Sequence, residues 1–366
     1  MKKLSAKDRI ATHRRGQIRW KNALARKYKT YDPYRYTPER IVSGKLVITA
    51  PVKISIYDFS ENKTKCQYFQ TLKFIQLIKN NFTKRDCILD FSSTYRVSAA
   101  ALVVIYAAIE TAYNTRPGQS EIVFSRKSDI VNRTLRNMNI HNLIQGNEID
   151  YKLNQIKILP IISSVGKKHM EKIIDFIQLK VLKTSEPTLE YVYADAISET
   201  INNVELHAYP NEEPSARRWW LVCNTMRNQL FLAIYDNGIG IPKTVVSRKW
   251  FIPSLQSTHP KIYARLIEEF PEDQANGFTK LGRTVIPDER LIHISMKGDV
   301  TGTNEDKHGQ GSKSIMALVG DTPKGKLWVF SNSGLYTYFQ SDNLPAEKKL
   351  PRKFPGTLIQ WNIKLS

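Results

Sequence analysis

The chain has 366 residues, more than one average domain needs, and 41% of them are hydrophobic, enough to build more than one buried core. No stretch approaches the ~20 unbroken apolar residues of a membrane-spanning helix, and the basic start has no apolar segment behind it, which argues against a secretory signal. The three cysteines, Cys66, Cys87 and Cys223, suit neither a disulfide framework nor a metal site and point to a reducing compartment, the cytoplasm.

The formal net charge is +21, and residues 1–40 alone hold thirteen Lys or Arg against three acids. Such an arm attracts polyanions with a salt-sensitive affinity. Trp20, Tyr28, Tyr31, Tyr34 and Tyr36 lie among the charges, and a plain solubility tail has no need of them. Nucleic acid or another acidic partner is one reading of residues 1–40, and a solvated tail is the other. Within the arm the pattern predicts a helix over 10–28, then an extended segment with turns at Asp32-Pro33 and Thr37-Pro38.

From Lys45 strands and helices alternate. Residues 46–49 and 52–57 read as strands, and 66–78 as a helix with Phe69, Leu72, Ile75 and Ile78 at helical spacing. A short buried strand at 87–91 precedes a buried Ala-rich helix at 97–112. A strand at 121–125, a polar helix at 129–138 and a strand at 156–162 complete an α/β layer over 46–163.

A helix at 168–182 leads to a break at 184–187, and Pro187 opens a longer helix reaching about His207. A hairpin follows, with strands at 219–226 and 230–235. A long irregular region, 242–308, separates it from a helix near Gly311. Three strands, at 326–331, 335–340 and 357–363, end the chain.

Three short motifs in this second half carry chemistry. Glu199, Asn203 and His207 fall four apart on the helix after Pro187, on one stripe flanked by Ile197, Ile201, Val204 and Leu206. An amide oxygen can ligate Mg2+, and a carboxylate one turn away can orient and deprotonate a water. Next, Asp236-Asn237-Gly238-Ile239-Gly240 directly follows an apolar strand. Two glycines there permit a sharp turn and a close ligand, and a carboxylate at a strand end can accept an exocyclic amine. Finally, His308-Gly309-Gln310-Gly311-Ser312-Lys313 opens a helix, where exposed amides and a lysine suit phosphate oxygens.

The order of these motifs, closed by Gly356-Thr357 on a late strand, resembles the gyrase, chaperone, histidine-kinase and MutL (GHKL) ATPases over about 165–366. Ser312 stands where the family usually has Leu. The resemblance implies that Asp236 binds adenine with Thr357 beside it, and that Gly238 and Gly240 shape the turn. It implies that Asn203 coordinates Mg2+, Glu199 is the catalytic base, and Gly309, Gly311 and Lys313 hold phosphates. His207 is a weaker ATP contact, and Lys297 and Lys307 are lid residues within reach of phosphate.

Residues 46–160 resemble, more loosely, the STAS domains of anti-sigma-factor antagonists and sulfate transporters, through the run from Ile88 to Leu102. Where antagonists carry their regulatory serine, this chain has alanine within Ser98-Ala99-Ala100-Ala101, so the hydroxyl is missing at that place, with Ser98 one residue early as the one substitute; the resemblance then implies a binding or scaffolding module.

The expected fold is therefore α/β. A basic arm (1–45) and a STAS-like α/β domain (46–163) precede a C-terminal Bergerat-type α/β sandwich (164–366), with a mixed sheet, helices on one face and a lid at about 243–308. The expected function is an ATP-binding, Mg2+-dependent, ATP-hydrolysing switch that couples nucleotide state to the STAS-like domain and a macromolecular partner. That partner is a protein, a homodimer mate, or nucleic acid through residues 1–40, and not a membrane. A serine/threonine kinase of the anti-sigma-factor type, a non-catalytic ATP-binding adaptor and a nucleic-acid-binding protein are the alternatives. A sensor histidine kinase does not fit, because His169 has no helical hairpin around it.

Overall fold

The structure is a computed structural model, and it describes residues 6–27, 39–62, 64–147, 158–182, 187–226, 228–271, 285–297, 311–320, 322 and 324–365. Helix α1 (Ala6–Lys27) covers the arm helix, and its described side chains are exposed. The arm's four tyrosines, its two proline turns and the Trp20 side chain lie outside the described residues.

The next elements are β1 (Ile41–Val42), β2 (Lys45–Thr49), β3 (Lys53–Ile54), α2 (Gln67–Phe82), β4 (Cys87–Asp90), β5 (Arg96–Val97), α3 (Ala99–Thr115), β6 (Glu121–Val123), α4 (Asp129–Asn137) and α5 (Ile140–Ile144). Strands β2, β4 and β6 run parallel, with β1 antiparallel at the edge, so this sheet is mixed. The strand expected over 52–57 shrinks to β3, because its one partner, β5, is two residues long. Helix α3 is apolar on all sides and buried from Ala100 to Ile109, as a helix enclosed within a core must be. Ser98 caps it, its hydroxyl oxygen accepting from the Ala101 N–H at 3.4 Å.

The second half runs β7 (Ile162–Val165), α6 (Met170–Phe176), α7 (Pro187–Asn203), β8 (Arg218–Met226), β9 (Gln229–Asp236), α8 (Phe251–Thr258), α9 (Pro260–Glu269), α10 (Asp288–Lys297), α11 (Gly311–Gly320), β10 (Lys326–Phe339) and β11 (Leu344–Lys364). The five strands lie in the order β10-β11-β9-β8-β7. Both α6 and α7 continue as π-helix, at Ile177–Leu182 and Val204–Ala208.

The second half differs from expectation at several points. The C-terminal sheet is antiparallel throughout rather than mixed, because its strands come as the hairpins β8/β9 and β10/β11, and a hairpin reverses the chain. The strand expected at 156–162 lies instead at β7 and pairs with β8. The chain does not turn at residues 332–334, where register shifts mark a bulge within the continuous strand β10. The region expected to be irregular, within 242–308, holds α8, α9 and α10 around their own apolar cluster, including Val246, Phe251, Leu255, Leu291 and Ile294. Residues 272–284 and 298–310 of that region lie outside the described residues.

Helices also cover both faces of the C-terminal sheet, not one. Strand β9 is buried at nearly every position, the pattern of a strand enclosed on two sides. Leu232, Ile234, Val329, Ile359 and Trp361 join the core beneath α7 and α11. Ala233, Tyr235, Phe330, Phe354 and Leu358 point the other way and share one core with α2 and α3. Edge-on ring contacts from Tyr57 to Trp328 and Phe330 extend that junction. So does Glu110, whose carboxylate accepts from Ser163 at 2.6 Å and from the Trp220 indole at 2.7 Å. The three cysteines are free and buried. Among the described residues no helix is long and apolar enough to cross a membrane.

Candidate functional site

Alternation along the strands decides which side chains meet at the end of the C-terminal sheet. Asp236 continues the helix-facing series of Leu232 and Ile234, Thr357 that of Ile359 and Trp361, and Ser331 that of Leu327 and Val329. Thr357 pairs with Asp236 on one side and with Ser331 on the other. The three therefore lie side by side on neighbouring strands, facing the layer of α7 and α11, and all are buried. The Ser331 and Thr357 hydroxyls are 3.1 Å apart.

Burial pushes the Asp236 carboxyl up to about 7, against the backbone N–H groups of Gly238 and Thr357, which donate to it and favour its charged form. The Gly238 bond is 2.8 Å long. Among the described residues no cation pairs with this carboxylate. It is an acceptor held in a poorly solvated place, suited to a neutral donor such as an aromatic amine.

The turn after Asp236 is fixed from three directions. Ile239 N–H donates to Ala208 O at 2.9 Å, Asn237 N–H to the Tyr209 hydroxyl at 2.9 Å, and Ile241 N–H to Ser331 Oγ at 3.0 Å. Tyr209 in turn donates to Arg218 O at 2.8 Å. A Cβ at Gly238 would lie 2.3 Å from Ala208 O, so only glycine permits this approach of the turn to the end of the α7 segment. Gly240 has φ +90°, and a Cβ there would meet the Asn332 amide and the Ser331 hydroxyl.

Glu199 and Asn203 share a face of α7 and are half-buried. Beyond Asn203 the helix widens to π, a feature frequent at functional sites. His207 lies on that wider turn, and its Nδ1 accepts from Arg248 Nη2 at 2.6 Å, since a guanidinium can only donate. His207 is thereby engaged with the 245–250 segment. Helix α11 starts at Gly311, packs along α7, and carries Lys313 exposed in its first turn. Lys297 ends α10, exposed. Gly309, Lys307 and His308 lie outside the described residues.

A cleft of about 400 Å³ opens beside the same turn, lined in part by Tyr209, Asn237, Gly238, Lys243, Asn332 and Lys353. Glu199, Asn203 and the Asp236 side chain do not line it, so it is a neighbour of the acidic floor rather than the floor itself.

Several participants carry no motif of their own. Ser331 and Asn332 enter through the β10 bulge, and Tyr209 and Arg248 through single contacts. Lys79, from α2, donates to Asn237 Oδ1 at 2.8 Å. The only available signal was register, which requires the strand pairing to be known. No protein-family model matches the chain, and no curated protein matches it either.

Proposed function

We propose that residues 164–366 form a GHKL-type, Bergerat-like ATP-binding domain, and that the protein is an Mg2+-dependent ATPase switch acting through the STAS-like unit at 46–163. The observation that carries this reading is the floor made by Asp236, Thr357 and Ser331, facing two helices and bordered by a glycine turn.

In this reading the Asp236 carboxylate accepts the adenine amine, and the Thr357 and Ser331 hydroxyls complete the polar floor. Gly238 and Gly240 keep side chains out of the path of the base. The N-terminus of α11, with Gly311 and Lys313, would hold the phosphates, since the dipole of a helix N-terminus favours anions. Asn203 offers an amide oxygen to Mg2+, which supplies charge neutralisation on the phosphates. Glu199, one turn earlier, takes the proton of the attacking water.

Two contacts support transmission. Lys79 of α2 reaches the Asn237 side chain in the nucleotide turn, and Arg248 at the start of the α8–α10 insert reaches His207. One buried core joins α2 and α3 to the C-terminal sheet, which gives such coupling a physical path. Incubation of the full chain with γ-labelled ATP and Mg2+ tests this function. Free labelled phosphate is expected; label transferred to protein would make the protein a kinase, and no turnover would make it an adaptor.

A further inference from the structure

Glu347 on β11 stands between two histidines that come from different elements. His259 lies at the α8–α9 junction and His293 on α10. His259 Nε2 is 2.8 Å, and His293 Nδ1 2.6 Å, from the same oxygen, Glu347 Oε1. One ligating atom from each residue falls within 4.8 Å of the others. The imidazole rings meet edge-on, 5.2 Å between centroids. The side chains of His259, His293 and Glu347 keep 12%, 13% and 23% of their surface exposed, so the cluster is partly open to solvent.

We propose that His259, His293 and Glu347 form a binding site for a divalent transition metal of the zinc class. Two imidazole nitrogens and one carboxylate oxygen are a ligand set that suits Zn2+ and leaves a fourth position for water. Bonds of ~2.0–2.1 Å in tetrahedral geometry place ligand atoms roughly 3.3 Å apart. The carboxylate oxygen therefore has to withdraw by about half an ångström, within reach of a small side-chain rotation.

The surroundings match what a metal site requires of its outer groups. The remaining ring nitrogen of His259 is 2.8 Å from the Thr258 hydroxyl, which fixes the ring's orientation. Arg290 Nε lies 3.7 Å from the second Glu347 oxygen and steadies the carboxylate. The Tyr336 ring backs His293, 5.4 Å between centroids. One helical turn before His293, Glu289 Oε2 is buried with no hydrogen-bond partner among the described residues. The metal joins the α8–α10 insert to the β10/β11 hairpin and fixes the insert's position. This site is separate from the nucleotide floor and does not depend on that reading.

The test is metal analysis of the full chain, purified without chelators, then stripped with EDTA and titrated with Zn2+, Co2+ or Mg2+ alone. Close to one zinc per chain is expected, with a rise in thermal midpoint when Zn2+ returns and a tetrahedral visible spectrum with Co2+. Mg2+, which avoids imidazole, is expected to produce neither effect. Glu347→Gln and, separately, His259→Gln are expected to weaken Zn2+ binding ~100-fold or more. If one variant fails to fold, the other and the wild-type Co2+ spectrum still decide. Zinc below a tenth of the chain with no thermal response to added Zn2+, or undiminished binding in a folded variant, would overturn the proposal and leave a hydrogen-bonded triad.

Discussion

The ammonium of Lys79 lies 2.8 Å from the side-chain oxygen of Asn237, joining helix α2 to the turn that follows Asp236. The Tyr235 hydroxyl shares that oxygen at 3.2 Å, so Asn237 is held from both the sheet and the neighbouring α/β unit. Burial lowers the lysine's affinity for its proton, which makes a partner at this place valuable.

Replacing Lys79 by Met removes the bond and keeps most of the packing. A loss of about 1–2 kcal/mol of stability is expected in urea titration. ATP affinity should also fall several-fold by calorimetry, because the turn loses one of its anchors. Unchanged affinity would separate α2 from nucleotide binding at the turn after Asp236.

Asp236 gives the free protein a pH signature. Its carboxyl titrates at about 7 in the fold and near its ordinary 3.8 in the unfolded chain, so the native state holds the extra proton between these values. Stability from this group is full below about pH 4 and is lost as pH rises through about 7, with an upper bound of roughly 4 kcal/mol. Thermal midpoints measured from pH 5 to 8 should therefore fall more steeply in the wild type than in Asp236→Asn. ATP that uses the carboxylate as an acceptor should release part of a proton at pH 7, seen as a buffer-dependent binding enthalpy.

The glycines are tested by single methyl groups. Gly356 has φ +71°, and a Cβ there would lie 1.9 Å from Asp236 O; at Gly238 it would lie 2.3 Å from Ala208 O. Both contacts are to backbone, which cannot move aside cheaply. Gly356→Ala and Gly238→Ala should each cost more than about 2 kcal/mol. Gly320→Ala, with nothing within 4 Å, should be neutral or mildly stabilising.

Glu199→Ala separates binding from hydrolysis. The variant should hold ATP with near wild-type affinity and lose at least ~100-fold in phosphate release, the usual contribution of a general base. Full turnover would remove Glu199 from that role.

Deleting residues 1–40 should weaken binding to nucleic acid most at low salt, since they carry a dense positive charge and the described side chains of α1 are exposed. Equal binding by both forms at 50 mM and 200 mM salt, measured by anisotropy, would return the arm to a solubility role.

Much of this was legible in the residues because periodicity and turn chemistry act locally. Helices α2, α3 and α7 and the β8/β9 hairpin follow from apolar spacing and from Pro187. The proximity of Asp236 and Thr357 was implied by resemblance and is realised as a strand pair. Contacts between distant segments were not legible. Nothing local in residues 332–334 distinguishes a bulge from a turn, because Asn332 and Gly334 suit both. The cover over the second face of the C-terminal sheet comes from α2 and α3, more than a hundred residues earlier in the chain. His259, His293 and Glu347 lie on three elements, with spacings that match no local metal motif. The helices of the insert were not legible because Phe251–Thr258 and Pro260–Glu269 are short, and Pro253 sits inside the first.

Calorimetric titration of ATP and Mg2+ into the full chain and into Asp236→Asn tests the central claim most directly. Saturable binding at one site in the wild type, abolished in Asp236→Asn while that variant keeps its cooperative thermal transition, is the expected result. No binding by the wild type, or equal affinity in a folded Asp236→Asn, would contradict a nucleotide site built on Asp236.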